Sequence, residues 1–275
     1  MTEIDHEAEY NNRRRVPEHT EIMARWAEHS ARVRSEVPCE LNQPYGPGPR
    51  HLYDLFHPSP GPADAPLVVY IHGGYWQRGD RADYSFVAEA LVGKGATVAL
   101  PSYTLCPEAT IAQITDEMRR FLVALWRRTS RRPVVVGHSA GGHLAGALLA
   151  TDWSRHDAPA DLVRAAYSIS GVFELEPLIS TSLNEALRLT PETAREASPI
   201  LWRPPPADRT FVAAVGGAES PEFLRQSLVI TAAWSAAGVK AECVVVPNVN
   251  HFTVVDELAR PESAMLQRVI QLARL

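Results

Sequence analysis

The 275-residue chain has few cysteines and no long apolar run. Cys39, Cys106 and Cys243 are odd in number and far apart, so the sequence shows neither a disulfide framework nor the paired spacing of a zinc site. No stretch approaches the roughly 18 apolar residues that a membrane-spanning helix needs. The opening residues MTEIDHEAEY are acidic and lack the apolar segment of a signal peptide. We therefore expect a cytoplasmic protein with no membrane partner.

Extended basic patches are also absent. The net charge is -5, and outside RRR (13–15) and RRTSRR (127–132) the basic residues are scattered. No stripe of positive charge could follow a phosphate backbone, so nucleic acid is not an expected partner. We interpret both arginine runs as solvated helix ends. With 45 % hydrophobic and 21 % charged residues, the composition is that of an ordinary globular protein.

Apolar runs and helical patterns alternate along most of the chain. The segments typical of strands are HLYDLF (51–56), LVVYIH (67–72), ATVALP (96–101), PVVVGHS (133–139), AAYSIS (165–170), TFVAAVG (210–216) and ECVVVP (242–247). Helical patterns lie between them, and Thr110 with Gln113 opens one as a capping box. The alternation predicts a single α/β domain over 1–275, with a mainly parallel sheet and helices on both faces.

Three further segments complete this organisation. Apolar residues at helical spacing over 18–34 predict an amphipathic helix ahead of the sheet. The segment 171–209 contains too many helix breakers for a regular crossover, so we interpret it as a small lid with two short helices over the carboxyl edge of the sheet. A last helix is predicted to begin at Pro261.

The pentapeptide GHSAG (137–141) lies between a predicted strand and a small-residue helix. The nucleophile elbow GxSxG requires this context, because a sharp strand-to-helix turn raises the serine hydroxyl at the helix N-terminus. Side chains at positions 137 and 141 would collide with neighbouring elements at such a turn, which explains both glycines. We therefore expect Ser139 to be a catalytic nucleophile.

A serine hydroxyl needs a base, and after such an elbow the chain order is acid and then histidine. His251, which follows the last predicted strand, is the expected base. The acid should follow the preceding strand, where Glu219 comes first and Glu222 second. A carboxylate at Glu222 is already explained by the dipole of the helix that begins there. We favour Glu219, with Glu222 and Asp256 as alternatives.

The stretch HGGYW (72–76) leaves the strand LVVYI through two glycines. Acyl transfer builds negative charge on the carbonyl oxygen, and backbone N–H groups aimed at that oxygen stabilise it. Glycine lets the main chain approach a substrate without a Cβ in the way. The expected oxyanion donors are the amides of Gly73, Gly74, Tyr75 and Ala140.

The other histidines near these motifs have structural interpretations. His72 is expected to fix its loop by hydrogen bonding, and His138 and His143 to flank the elbow without taking part in the reaction. The spacing of the last two does not place them on one helix face, and HExxH does not occur, so no metal site and no cofactor is predicted. Cys106 is interpreted as a loop residue rather than a second nucleophile.

Together these motifs carry a family resemblance. HGGYW, GHSAG, LEPLISTSLNEALRL, SPEFLRQS and the terminal NHF resemble kynurenine formamidases (arylformamidases) of the serine-hydrolase type, from about Tyr10 onward. The resemblance implies an α/β-hydrolase fold with Ser139, Glu219 and His251 as the triad, in a family that usually carries Asp where Glu219 stands. It also implies a homodimer and a small-molecule substrate, N-formylkynurenine, which is cleaved to kynurenine and formate.

In that reaction Ser139 attacks the formyl carbonyl. The residues expected to border the substrate pocket are Tyr75, Trp76, Phe173 and Asn184. A carboxylesterase acting on short acyl or aryl esters is the first alternative, because it would use the same catalytic groups. A non-catalytic relative that binds a ligand in the same pocket is the second.

Overall fold

The computed structural model describes residues 4–59, 61 and 64–275, and these form an eight-stranded sheet. The strands are β1 Cys39–Pro44, β2 Leu52–Phe56, β3 Leu67–Ile71, β4 Thr97–Pro101, β5 Pro133–His138, β6 Ala165–Ile169, β7 Thr210–Gly216 and β8 Lys240–Val246. The sequence predicted all of them except β1, which lies at the sheet edge. Its residues CELNQP are mostly polar and none is fully buried, so they carry no apolar run.

Helices cover both faces of the sheet. They are α1 His6–Tyr10, α2 Asn12–Arg15, α3 His19–Glu36, α4 Phe86–Gly93, α5 Ile111–Thr129, α6 Ala140–Leu149, α7 Asn184–Leu187, α8 Pro191–Glu196, α9 Pro221–Ala236, α10 Asp256–Ala259 and α11 Ala264–Leu272. Among the described residues, no helix combines the length and the apolar character needed to cross a membrane.

The sheet is mainly parallel. Its order is β1-β2-β4-β3-β5-β6-β7-β8. Within the described residues, only β2 pairs in antiparallel fashion, with β1 on one side and β4 on the other. The predicted α/β class is therefore confirmed. Because parallel strands end at one common edge, the loops after β3, β5, β7 and β8 gather there. Those loops carry HGGYW, the elbow serine, Glu219 and His251.

Side-chain alternation along the strands divides the core into two layers. On β3, Leu67, Val69 and Ile71 pack in the layer that contains α5, α6 and α9, whereas Val68 and Tyr70 pack in the layer of α3, α4 and α11. Both layers are buried, which explains why the parallel strands read as unbroken apolar runs.

Helix starts follow the capping residues. Thr110 and Gln113 form the expected capping box of α5. The prediction for the last helix was wrong, since α11 begins at Ala264 rather than at Pro261. Its N-cap is Ser263, whose hydroxyl accepts a hydrogen bond from the amide of Leu266 at 3.0 Å. The segment 171–209 contains α7 and α8, together with one-turn helices at Glu176–Ser180 and Pro199–Leu201.

A buried carboxylate ties the N-terminal helix to the sheet. The side chain of Asp54 on β2 is fully buried, and Arg34 of α3 forms an ion pair with it. Asp54 Oδ1 accepts hydrogen bonds from Arg81 Nε at 3.2 Å and from the amide of Asn42 at 2.7 Å. Because Arg81 follows the HGGYW loop, this network joins α3, the sheet and the loop.

We expect Asp54→Asn to lower the free energy of unfolding by about 3–5 kcal/mol, because it leaves two arginines without their buried counter-charge. Urea denaturation followed by circular dichroism measures the change. Asp157→Asn is the matched control, since its ion pair with Arg127 is mostly exposed and should contribute less than about 1 kcal/mol. Equal losses in the two variants would contradict this account of Asp54.

Candidate active site

Ser139 occupies a strained turn between β5 and α6. Its φ of 55° and ψ of −117° lie in a region that costs a non-glycine residue about 1–3 kcal/mol. The Ser139 amide donates a hydrogen bond to the carbonyl of Ile169 on β6 at 2.8 Å, which helps to hold the turn. The serine therefore stands at the N-terminus of α6, above the carboxyl edge of the sheet, in the geometry of a nucleophile elbow.

The two glycines of GHSAG are required by contact with main chain. A Cβ on Gly137 would lie 2.0 Å from the carbonyl oxygen of Gly141. A Cβ on Gly141 would lie 2.0 Å from the carbonyl oxygen of Ile71. Backbone atoms cannot move aside as side chains can, so α6 reaches this close to β3 and β5 only through glycine.

His251 and Glu219 form a buried hydrogen-bonded pair. Nδ1 of His251 lies 2.7 Å from Oε2 of Glu219, and both side chains are almost completely buried. The other carboxylate oxygen accepts hydrogen bonds from the amide of Gly216 at 2.7 Å and from Oγ of Ser170 at 2.5 Å. These bonds fix the carboxylate, which orients the imidazole and places its proton on Nδ1. Nε2 is then left as the proton acceptor.

The two alternative carboxylates have other partners. Oε2 of Glu222 accepts a hydrogen bond from the hydroxyl of Tyr10 at 2.8 Å. Oδ1 of Asp256 accepts one from Nε1 of Trp26 at 2.6 Å. Of the three candidate acids, only Glu219 is hydrogen-bonded to His251.

The HGGYW loop folds into a tight left-handed turn. Gly74, Tyr75 and Trp76 have φ values of 118°, 56° and 57°. The carbonyl of Gly74 accepts hydrogen bonds from the amides of Gln77 and Arg78 at 3.0 and 3.1 Å. A Cβ on Gly74 would lie 2.2 Å from the carbonyl oxygen of Arg78, so only glycine fits there.

This turn brings main chain against the serine. A Cβ on Gly73 would lie 3.1 Å from Cβ of Ser139, so the loop and the elbow are in direct contact. The amides of Gly74, Tyr75 and Ala140 have no acceptor within the described part of the chain. Unpaired N–H groups beside a serine are the arrangement that an oxyanion site needs.

Two buried histidines support these loops. Nδ1 of His72 donates to the carbonyl of Gly73 at 2.8 Å, and the ring stacks on Tyr103 with centroids 4.4 Å apart. Nε2 of His138 donates to the carbonyl of His251 at 2.8 Å. The first therefore fixes the HGGYW loop, and the second fixes the main chain of His251.

Two cavities meet at Ser139. The His251-side cavity, of about 130 Å³, is lined by residues that include His251, Tyr75, Arg13, Arg78, Asp83 and Tyr84. The Trp76-side cavity, of about 10 Å³, is lined by residues that include Trp76, Ala140, Val172, Leu178 and Leu183. A volume of that size admits about one water molecule. The serine hydroxyl thus lies between a larger space with charged residues and a very small apolar one.

Two of the four residues expected at the pocket line neither cavity. Tyr75 lines both cavities and Trp76 lines the smaller one. Phe173 is instead a core residue, fully buried with its ring against Phe211. The side chain of Asn184 is used within its own segment, where it hydrogen-bonds the backbone of Leu189 and the carbonyl of Ile179.

The N-terminal segment contributes residues that the sequence interpretation missed. Arg13, Met23 and Trp26 all line the His251-side cavity. Arg13 belongs to the RRR run that we interpreted as solvated. The apolar stripe of α3 indicated that this helix packs on something, and the structure identifies the cavity wall as part of that surface.

Known proteins share this architecture. Residues 68–255 match a family model described as the α/β-hydrolase fold. A kynurenine formamidase of Salmo salar is 33 % identical over 252 residues, which are 89 % of this chain and 85 % of that protein. A kynurenine formamidase of Danio rerio is 33 % identical over 87 % of this chain and 83 % of that protein.

The chain belongs to the kynurenine formamidase family of α/β-hydrolases. A solved structure from Silicibacter sp. TM1040, provisionally described as a thioesterase, superposes with a TM-score of 0.87 at 34 % identity. The match covers 98 % of this chain and all of that one, so it includes most of the N-terminal segment that borders the cavity.

Burial of His72, His138 and His143 makes the stability of the fold depend on pH. Burial lowers the pKa of His72 and of His143 to about 4, and it lowers the pKa of His138 well below the usual value. In the unfolded chain these groups take up protons below a pKa near 6.5. The contribution of these neutral histidines to stability is therefore fully present above about pH 6.5 and is lost as the pH falls towards 4.

We expect the free energy of unfolding in urea to fall by about 2 kcal/mol per buried histidine between about pH 7.5 and 4.5. In His143→Gln the decrease in the free energy of unfolding should be smaller by about that amount, since glutamine can keep a hydrogen bond to the carbonyl of Ala197 without titrating. The same pH dependence in both proteins would show that His143 is not one of the groups responsible.

Proposed function

We propose that the chain hydrolyses the formyl amide of N-formylkynurenine to kynurenine and formate. The proposal rests on the 33 % identity to a kynurenine formamidase over 89 % of the chain. The pairing of His251 with Glu219 at 2.7 Å, beside a cavity shared with Ser139, supplies the chemistry that this hydrolysis needs.

In the first step Oγ of Ser139 attacks the formyl carbon, and Nε2 of His251 takes the hydroxyl proton. Negative charge then develops on the formyl oxygen, where the free amides of Gly74, Tyr75 and Ala140, with Gly73 beside them, would stabilise it. Glu219 stabilises the imidazolium that forms. Ser139 Oγ has no hydrogen-bond partner in the described residues, and we infer that its bond to His251 forms with substrate bound.

Collapse of this intermediate breaks the C–N bond. His251 gives its proton to the departing arylamine, which leaves as kynurenine, and Ser139 remains formylated. A water molecule then loses a proton to His251 and attacks the formyl-serine ester, and the return of that proton to Oγ releases formate. Each cycle consumes one water and leaves the enzyme unchanged.

The unequal cavities support a formyl substrate. Because His251 must protonate the leaving group, the aryl part belongs in the His251-side cavity. The acyl part then belongs in the Trp76-side cavity, whose volume of about 10 Å³ suits the single hydrogen of a formyl group. An esterase with the same catalytic groups would accept only short acyl chains on this side.

We also retain a cytoplasmic location and a homodimer as part of the proposal. The free thiols Cys39, Cys106 and Cys243 fit a reducing compartment. The homodimer rests on the family resemblance alone.

Kinetics on N-formylkynurenine beside p-nitrophenyl formate, acetate and butyrate test the proposal. We expect a higher kcat/KM for N-formylkynurenine than for p-nitrophenyl acetate. We also expect kcat/KM to decrease steeply from acetate to butyrate, because the Trp76-side cavity has no room for a longer acyl chain. Ser139→Ala should lose about a thousandfold or more on each substrate, whereas Ser154→Ala, at an exposed turn, should retain the wild-type rate. A kcat/KM for N-formylkynurenine far below that for the acetate ester would favour a carboxylesterase.

The assignment of the acid can be tested separately. Glu219→Gln keeps the shape of the side chain but removes the charge that stabilises the imidazolium, so kcat should fall by about 10³- to 10⁴-fold. Glu222→Gln should lower kcat by less than about tenfold, since that carboxylate binds Tyr10 and Arg225 instead. Circular dichroism spectra check that both variants fold. A larger loss for Glu222→Gln would reverse the assignment.

A further inference from the structure

The N-terminal segment is fixed across the carboxyl edge of the sheet. The hydroxyl of Tyr10, which is almost completely buried, donates to Glu222 at 2.8 Å and accepts from Nε2 of Gln226 at 2.8 Å. The amide of the buried Asn12 donates to the hydroxyl of Tyr75 at 2.9 Å. The segment that carries Arg13 is thus joined to α9 and to the HGGYW loop.

These contacts put two cations in the catalytic cavity. Arg13 and Arg78 line the His251-side cavity from opposite segments, one from the N-terminus and one from the end of the HGGYW turn. Arg13 is partly buried, and its burial together with the positive charge of Arg78 lowers its pKa. The guanidinium nevertheless stays charged, so the two side chains repel each other in the absence of an anion.

The two cations lack an ion-pair partner in the part of the chain that the structure describes. The next two arginines of the same run have partners, since Arg14 pairs with Glu7 and Arg15 lies 4.0 Å from Glu9. Within the described residues, neither Arg13 nor Arg78 forms an ion pair. Two uncompensated guanidinium groups in a cavity are suited to a carboxylate, which can accept hydrogen bonds from both.

One negative charge lies at the rim of the same cavity. Asp83 lines it, and its backbone is held by a hydrogen bond from Oγ of Ser30 at 2.9 Å and by one to the carbonyl of Asp80 at 3.0 Å. Its carboxylate has no hydrogen-bond partner in the described part of the chain. The cavity therefore presents both signs of charge beside the aromatic ring of Tyr84.

We propose that the His251-side cavity recognises the α-amino acid head group of the substrate, with Arg13 and Arg78 binding its carboxylate and Asp83 its ammonium group. This inference rests on the proposed function, since it takes the leaving arylamine to occupy that cavity. It makes Arg13 a specificity-determining residue, although it lies far from the triad in sequence.

Three aryl formamides with the same scissile bond test the inference. N-formylkynurenine carries both charges, N-formylkynuramine only the ammonium, and 2-formamidoacetophenone neither. Arg13→Gln and Arg78→Gln should each lower the kcat/KM ratio of the first to the second by about 10- to 100-fold, mainly through KM. Asp83→Asn should lower the ratio of the second to the third. Arg13→Lys should recover part of the carboxylate preference.

Arg14→Gln is the matched control, because Arg14 is the exposed neighbour in the same run, and the variant should leave both kcat/KM ratios unchanged. Thermal unfolding of each variant checks its fold. Equal kcat/KM values for the three formamides in the wild type would overturn the head-group assignment. So would kcat/KM ratios that Arg13→Gln and Arg78→Gln leave unchanged.

Calorimetric binding of kynurenine and kynuramine separates this inference from the proposed function. Kynurenine binding that weakens about tenfold or more in Arg13→Gln but not in Arg14→Gln supports the head-group site, even if no formamide is cleaved. In that case the proposed function fails and the site stands. Turnover of all three formamides with no dependence on Arg13 leaves the function standing and overturns the site.

Discussion

The close contact of α6 with β3 and β5 is the constraint on which the rest of the site depends. The main chains approach so closely that a Cβ at Gly137 or Gly141 would lie 2.0 Å from a carbonyl oxygen. Because the helix starts against the sheet, Ser139 takes its left-handed φ of 55°. The strain at Ser139 is therefore held by packing of the sheet and helix rather than by the loop itself. Repacking of either strand would move the serine relative to His251.

The sequence predicted the parallel sheet well because strands buried on both faces must be continuous apolar runs. GHSAG and HGG could be interpreted for a similar reason, since each glycine answers a steric demand that the fold imposes. Glu219 is a different case. Its place three residues after β7 favoured it, but only the structure shows that Ser170 and Gly216 hold one oxygen while the other bonds His251. Ser170 follows β6 and His251 follows β8, so no local pattern encodes these contacts.

The failures have a common physical origin. β1 is an edge strand with polar residues, so no apolar run marks it. Phe173 and Asn184 lie next to residues that do line a cavity, so a shift of one position in a loop decides whether a side chain reaches the cavity. Arg13 is the clearest example. The run RRR shows no periodicity that distinguishes a solvated arginine from one that lines a cavity. The position of Arg13 is set by the hydrogen bond between the neighbouring Asn12 and Tyr75. That bond joins residues 63 positions apart, which a single sequence cannot reveal.

The positive φ of Tyr75 and Trp76 connects the two sides of the site. This turn leaves the amide of Tyr75 free beside Ser139, while it directs the Tyr75 hydroxyl to the N-terminal segment that carries Arg13. In the proposed mechanism, Tyr75 therefore contacts the place where charge develops during acyl transfer, and it supports the cavity proposed for the charged leaving group. Trp76 lines the opposite cavity, where little volume remains. On this proposal, selectivity for a small acyl group and for a charged leaving group would both depend on one strained loop. A change that relaxed its backbone would alter both together.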